Sequence, residues 1–388
     1  MDAAVATDLQ RWLRAREGDM VELLVRLASI ETPSTVPEAH EPAFSLLRGE
    51  LEACGFLVRR VHGARTGGLL YARPVERVRR APYQLLVGHL DTVWPIGSVE
   101  ALGVEAANGV VRGPGTFDMK GGLVEIVFAL RALSEHGLVP EVTPVVLVNT
   151  DEEIGSVESR PLLERLSRCA ARAFVLEPAY GPKGRLKTAR KSAGHFRVVV
   201  RGRAAHAGVN PEEGVSAILE LSHQIQRLFA LNDPERGVTV NVGMIDGGLG
   251  ANVIAPEASA EVDVRVPTLA DARRIEEALE SLEPVTEGVT VEVQGRFGRL
   301  PMEPTPRNRA LWRAAQAAGM RLGLELRDAA VGGASDGNIT SLYTATLDGL
   351  GPVGDGAHAP GEHVIVSSLP ERAALLALLV LLPAEVAT

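Results

Sequence analysis

Five stretches of this chain bring together residue types that bind metals and move protons. GHLDT carries His89 and Asp91, GTFDMKGG carries Asp118, NTDEEIGS carries Glu152 and Glu153, and LEP carries Glu177. A second histidine, His358, follows far downstream in GPVGDGAHAPGEH. His89 and Asp91 are two residues apart, so on an extended segment both face one side. A carboxylate there can accept one imidazole N–H and leave the other ring nitrogen free for a metal. The plainer alternative is a strand-end histidine beside a solvated aspartate. Asp118 lies in a glycine-rich turn, which allows close approach of backbone to a ligand. The turn matches neither G-x-G-x-x-G nor G-x-x-x-x-G-K-[ST], so a phosphate loop is not indicated. Glu152 and Glu153 are adjacent, and adjacent carboxylates repel unless a cation or a proton relieves them. One can hold a metal while its neighbour serves as general base toward a metal-activated water. A solvated charge run at 151–153 and a plain loop histidine at 358 are the competing accounts of those motifs taken singly.

The elements that would have to position these groups can be read from the apolar pattern. Leu85–Val87, Val145–Val148 and Ala173–Leu176 each end directly before or close to a charged residue. Parallel strands whose carboxyl ends build a site have this form. Helices are expected over 5–28, with a break near Gly18, and over 41–53, where Pro42 is tolerated in the first turn and Gly55 is the stop. Strands are expected near 56–61, 68–72, 83–88, 143–149 and 172–176, with helices over 119–135 and 158–167. The intervening loop 91–117 is long and rich in Gly and Pro, which in a compact domain is usually functional. Alternating strands and helices predict a doubly wound α/β domain with a mostly parallel sheet. After Pro182 the order becomes strand 195–201, helix 213–230, strands 237–245 and 257–266, helix 269–282 and strand 289–295. That is a ferredoxin-like α+β arrangement. A helix over 308–321, strands near 324–328 and 343–347 and a helix over 367–382 then resume the first pattern. The expected organisation is therefore a catalytic domain over 1–182 and 297–388, with an inserted domain over 183–296.

Composition sets the bounds. A length of 388 residues favours two domains, and 46% hydrophobic with 23% charged residues fits a soluble globular chain. A formal net charge of -9 argues against a nucleic-acid partner, although Arg77, Arg79 and Arg80 form one basic cluster. Cys54 and Cys169 have no metal or redox spacing and read as free thiols in a reducing compartment. MDAAVATDLQRWLRAREGD has no apolar signal core, and the longest apolar tract, Ala373 to Pro383, is too short to span a bilayer. A cytoplasmic location without a membrane partner is expected.

Together, GHLDTVWP, GPGTFDMKGG, NTDEEIGS, LEP, GRAAHAG, GGASDGN and GAHAPGE resemble the dizinc aminoacylase and peptidase family, most nearly its carboxypeptidase G branch. The likeness runs over nearly the whole chain. It implies two Zn2+ ions per chain, with Co2+ or Mn2+ as substitutes. His89 and Glu177 would hold one ion and Glu153 and His358 the other, with Asp118 bridging both. Glu152 would be the general base and Asp91 the partner of His89. It also implies a cis peptide after Asp118 and a homodimer formed through the inserted domain. His206 would reach the neighbour's site to stabilise the oxyanion. Asn252, Arg265 and Arg296 would hold the substrate, and Gly332, Gly333, Ser335 and Asp336 would meet its free carboxylate. GGASDGN differs from the carboxypeptidase G version of that loop, which bears on glutamate specificity. His195, His223 and His363 match no ligand position and read as surface or packing residues. The implied reaction is amide hydrolysis of a small N-acyl amino acid or dipeptide-like substrate, releasing a C-terminal amino acid. A deacylase of the aminoacylase, acetylornithine deacetylase or desuccinylase type is the nearest rival, and an inactive ligand-binding protein is the rival from another class.

Overall fold

The computed structural model describes residues 3–77 and 81–387. Arg79 and Arg80 of the expected basic cluster lie outside the described residues. The chain forms two compact units. One comprises Met1–Thr188, Pro304–Ala330 and Ser335–Thr388, and the other comprises Ala189–Glu303 with Val331–Ala334. The second unit thus starts and ends later than the expected 183–296. Its last strand, Thr290–Arg299, stays paired with Ala193–Arg201 as far as Arg299, which carries the unit past residue 296.

The first unit is built on a six-stranded sheet in the spatial order Phe56–Val61, Leu69–Pro74, Thr143–Asn149, Tyr83–His89, Arg172–Val175, Ala345–Leu347. Only Leu69–Pro74 runs against the rest, because it pairs antiparallel with both neighbours. The other pairings are parallel. Tyr83–His89 and Thr143–Asn149 are buried along nearly their whole length, as expected of strands covered on both faces. Ser368–Val380 is apolar round nearly its full circumference and packs with Gly121–Glu135 in the main core, the pattern of a helix with no solvent face. The amino-terminal segment forms two helices, Ala3–Arg14 and Glu17–Ala28, so the break falls slightly before Gly18. Glu41–Ala53 forms as expected, and Gly55 ends it at φ 80, a conformation glycine adopts without steric cost.

Two segments depart from the sequence reading. The loop 91–117 contains a short helix, Ser98–Leu102, and two short strands, Glu105–Ala107 and Val110–Arg112. The second of these pairs with His363–Ile365. The strand expected at 324–328 forms instead at Asp328–Val331, paired with Leu186–Arg190. Leu324 and Leu326 pack against the main core, so their apolar character serves burial and not strand pairing.

The second unit is an antiparallel sheet in the order Thr239–Gly247, Glu257–Arg265, Ala193–Arg201, Thr290–Arg299, with helices Ala217–Ala230 and Leu269–Glu280. Its core is separate from that of the first unit. Among the described residues no helix is long and apolar enough to cross a membrane, and both cysteines are free thiols.

Candidate metal centre

The carboxyl ends of three parallel strands in the first unit deliver most of the candidate ligands. His89 is the last residue of Tyr83–His89 and is almost fully buried. Glu152 and Glu153 follow Thr143–Asn149, and Glu177 follows Arg172–Val175. Asp118 comes from the glycine-rich turn, where the Asp118–Met119 peptide is cis. His358 comes from the Gly/Pro loop and has φ 61, an uncommon left-handed backbone for a residue with a side chain.

These groups converge around Asp118. Its Oδ1 lies 3.2 Å from Nε2 of His89, and its Oδ2 lies 3.3 Å from Nε2 of His358. Each histidine has a second carboxylate of its own. Glu177 Oε1 is 3.4 Å from His89 Nε2, and Glu153 Oε1 is 3.2 Å from His358 Nε2. Ligand atoms of His89, Glu152 and Glu177 lie within 4.8 Å of one another, as do those of His89, Asp118 and Glu153. Zinc binds N and O donors at about 2.0–2.2 Å, which makes the edge of a tetrahedral site about 3.3–3.6 Å. Four edges of 3.2–3.4 Å between hard donors therefore fit two such ions sharing Asp118. Glu152 stands close enough to His89 and Glu177 to reach an ion as well as a water beside it.

The surrounding side chains explain why so many acids can sit together. Asp151 turns away from the cluster and accepts the main-chain N–H groups of Glu158 and Ser159 at 2.7 and 3.0 Å. This satisfies orphan donors at the start of helix Arg160–Ser167. The three consecutive acids thus divide, with only Glu152 and Glu153 in the cluster. Asp91, fully buried, accepts from Ser34 Oγ at 2.7 Å and from the N–H groups of Glu152 and Glu153 at 3.2 and 3.1 Å. It thereby ties the His89 segment to the Glu152–Glu153 turn. The nearest acceptor for Nδ1 of His89 is the main-chain oxygen of Asp91 at 3.0 Å, with the carboxylate at 3.4 Å. The sequence pointed to the carboxylate. Either oxygen holds the proton on Nδ1 and leaves Nε2 facing the cluster.

The titration behaviour follows from this crowding. Hydrogen bonds to Asp118 and then Glu153 push His358 up to about 10, outweighing the opposing effect of burial. Burial alone would lower His89, but Asp118, Asp91 and Glu177 together raise it well above the ordinary imidazole value. Asp118 is held far below the carboxylate range by the two histidines, against burial. Burial raises Glu153 despite its bond to His358. In the metal-free chain, protons on the two imidazoles supply the positive charge that cations would supply.

The remaining expected residues have other surroundings. Ser335 and Asp336 belong to the first unit and are buried. Ser335 donates to Asp348 at 2.6 Å and caps Asp336–Thr340, while Asp336 accepts from Asn149 at 2.7 Å and from Ser156. Both side chains are thus bonded to other residues of the first unit. Gly332 and Gly333 are exposed and belong to the second unit.

His206, Asn252, Arg265 and Arg296 also belong to the second unit. His206 and Asn252 are exposed and on adjoining segments, since Ala207 N–H donates to the main-chain oxygen of Asn252 at 3.0 Å. Gly208 N–H donates to Nδ1 of His206 at 3.1 Å, so in the neutral ring the proton is on Nε2. Arg265 makes a two-pronged bond to Asp263, 2.9 Å on each side. Arg296 is exposed. Of the other histidines, His195 is exposed and 3.1 Å from Glu261, and His363 lies on a strand with Nδ1 at 2.9 Å from Gly361 O.

Two groups beside the cluster had no sequence signal of their own. Lys120 is buried, donates to Ile30 O at 2.8 Å, and is pushed down to about 8 by burial. Glu362, buried in the His358 loop, bonds to the Asp118 turn.

Paired histidines, each with its own carboxylate and one carboxylate between them, on the carboxyl edge of a doubly wound sheet, define a metal-dependent hydrolase. The chain belongs to Peptidase family M20/M25/M40, whose profile matches residues 85–382. Carboxypeptidase G2 of Pseudomonas sp. (strain RS-16) is 29% identical over 376 residues, which are 93% of this chain and 88% of that one. Among solved structures, aminopeptidase PepT from Bacillus cereus superposes with a TM-score of 0.76 at 22% identity, covering 96% of this chain and 99% of that one. The Bacillus subtilis YXEP protein, described as a dinuclear metal binding peptidase, superposes with a TM-score of 0.73 at 17% identity over 95% and 98% of the two chains.

Proposed function

We propose that this enzyme is a dinuclear zinc metallocarboxypeptidase. It would cleave the amide bond of an N-acyl amino acid or dipeptide-like substrate and release a C-terminal amino acid, glutamate being the first candidate. The observation that carries the reading is the position of Asp118, with one oxygen 3.2 Å from His89 and the other 3.3 Å from His358. His89 and Glu177 would hold one ion and Glu153 and His358 the other. Ions there would lower the pKa of a water to about 7 and polarise the amide carbonyl.

The chain's own residues would do the rest. Glu152 would take the proton of the attacking water and return it to the leaving nitrogen. His206 would donate its Nε2–H to the carbonyl oxygen as negative charge develops there. Arg265 has Nε and Nη2 committed to Asp263, which orients the guanidinium and leaves Nη1 for a substrate carboxylate. Arg296 adds a second cation on Thr290–Arg299, which Ala193–Arg201 separates from the strand of Arg265, and Asn252 a neutral donor beside His206. In this reading His206 comes from a second copy of the chain. Met244 and Ile245, 70% and 67% exposed on the outermost strand Thr239–Gly247, support pairing of two copies along that edge. An unpaired apolar strand edge is otherwise an aggregation risk.

The test is a screen of N-acyl amino acids and dipeptides with zinc-loaded enzyme, with and without a chelator. Hydrolysis that needs metal and a free C-terminal carboxylate is expected, fastest when the released residue is acidic. Equal rates on a substrate and its C-terminal amide would overturn the carboxypeptidase reading. A preference set by the acyl group alone would favour a deacylase.

A further inference from the structure

Three of the segments that carry candidate ligands meet on one buried carboxylate. Oε1 of Glu362 accepts the main-chain N–H groups of Phe117 at 2.9 Å and Asp118 at 3.0 Å. Oε2 accepts Gly115 N–H and the indole N–H of Trp94, both at 2.9 Å. The main-chain oxygen of Glu362 accepts Gly113 N–H at 3.2 Å, and its own N–H donates to Ala359 O at 2.9 Å. The side chain is thus surrounded by donors on both oxygens. Trp94 lies just beyond His89 and Asp91, residues 113–118 form the turn that presents Asp118, and Glu362 is four positions after His358. Glu362 makes none of the contacts among Asp118, the two histidines and their carboxylates.

We infer that Glu362 is a positioning residue for the metal centre, setting where the bridging Asp118 stands relative to His358 and His89 through the main-chain N–H groups of the Asp118 turn. The inference rests on the dinuclear reading above. Its physical basis is the acceptor count. A carboxylate offers acceptor sites on both oxygens and no donor, which matches four N–H groups. Bonds from N–H groups to an ionised acceptor are also stronger and shorter than neutral ones. A glutamine at this place has the same length and nearly the same volume, but it aims an NH2 group at two N–H donors. The turn must then shift, and Asp118 shifts with it. A shift of the bridging oxygens acts on both ions, because one carboxylate serves both sites.

The experiment compares Glu362→Gln, Glu362→Asp and Trp94→Phe with the wild type. It reads Zn2+ or Co2+ uptake by calorimetry, metal content after dialysis, thermal midpoints of the metal-free proteins, and kcat and KM. Supporting residues around metal ligands typically affect metal affinity by about 10–100-fold. Glu362→Gln should therefore lose at least about 10-fold in affinity for the weaker-held ion. Its kcat should fall and its KM stay close to wild type. Trp94→Phe removes one of the four donors and leaves the carboxylate in place, so it should fold and show a smaller loss in the same direction. Glu362→Asp keeps both acceptors on a shorter arm and should recover part of what Gln loses. Wild-type metal affinity in Glu362→Gln overturns the inference. So does an equal fall of the metal-free thermal midpoint in Gln and Asp with metal affinity unmoved, because that is the mark of a purely structural residue. If the wild type itself saturates with one ion, the dinuclear reading fails, independently of how the variants rank.

Discussion

Loading metal into the metal-free protein should release protons, and the number can be worked out from the cluster. His358 is raised from 6.5 to about 10 and His89 is raised well above 6.5, so both imidazoles are charged near neutral pH in the absence of metal. Both must lose the proton facing the cluster to bind an ion. Two ions per chain should then displace at least about two protons at pH 7.5, and a metal-activated water adds up to about one more near pH 7. The sign for stability is the opposite of that for binding. A raised histidine stabilises the metal-free fold fully below its unfolded value of about 6.5, and that contribution is lost as pH rises toward 10. Metal-free protein should therefore weaken between pH 7 and 10, while affinity for the ion held by His358 rises about tenfold per pH unit over the same window. The assay is titration of Zn2+ in weak buffer with a pH indicator, checked by calorimetry in two buffers of different ionisation enthalpy. His358→Asn should lower the count by about one. Saturation with two ions and release of fewer than one proton per chain would refute the electrostatic account of the cluster.

Three further outcomes are expected. Glu152→Gln should keep both ions and lose about 10²–10⁴-fold in kcat; loss of an ion on measuring metal content would make Glu152 a ligand instead. Ser34→Ala removes a 2.7 Å bond to the fully buried Asp91 carboxylate and should cost about 1.5–3 kcal/mol, read from the denaturant midpoint; an unchanged midpoint would mean the two amide donors suffice. Ile245→Asp places a charge on the exposed outer strand of the second unit. By sedimentation it should shift dimer toward monomer, and a dimer unaffected by the change would put the contact elsewhere.

Much of the candidate site was legible because each ligand sits where a local pattern changes. His89, Glu152, Glu153 and Glu177 follow apolar runs, and a run of that kind becomes a strand whose end is a fixed place in a doubly wound sheet. Helix Glu41–Ala53 was equally readable, since its apolar spacing, its early proline and Gly55 are all local signals. The antiparallel second unit was read from its element order and from the alternation along its strands. What only the tertiary structure decided depends on contacts between residues far apart in the chain. Glu362 bonds to Gly115 and Asp118 across 247 and 244 positions, and no periodicity records such a pairing. Val110–Arg112 looked like loop because its partner, His363–Ile365, lies some 250 residues away. Asp151, Glu152 and Glu153 are chemically alike in the sequence; the turn after Asn149 sends the first to a helix start and the other two to the cluster. The bonds of Ser335 to Asp348 and of Asp336 to Asn149 and Ser156 likewise join positions that no local pattern links. The residue types determined which chemistry was available. Long-range packing decided which of those residues faces the site, because a side chain's direction depends on the elements it packs against and not on its neighbours in sequence.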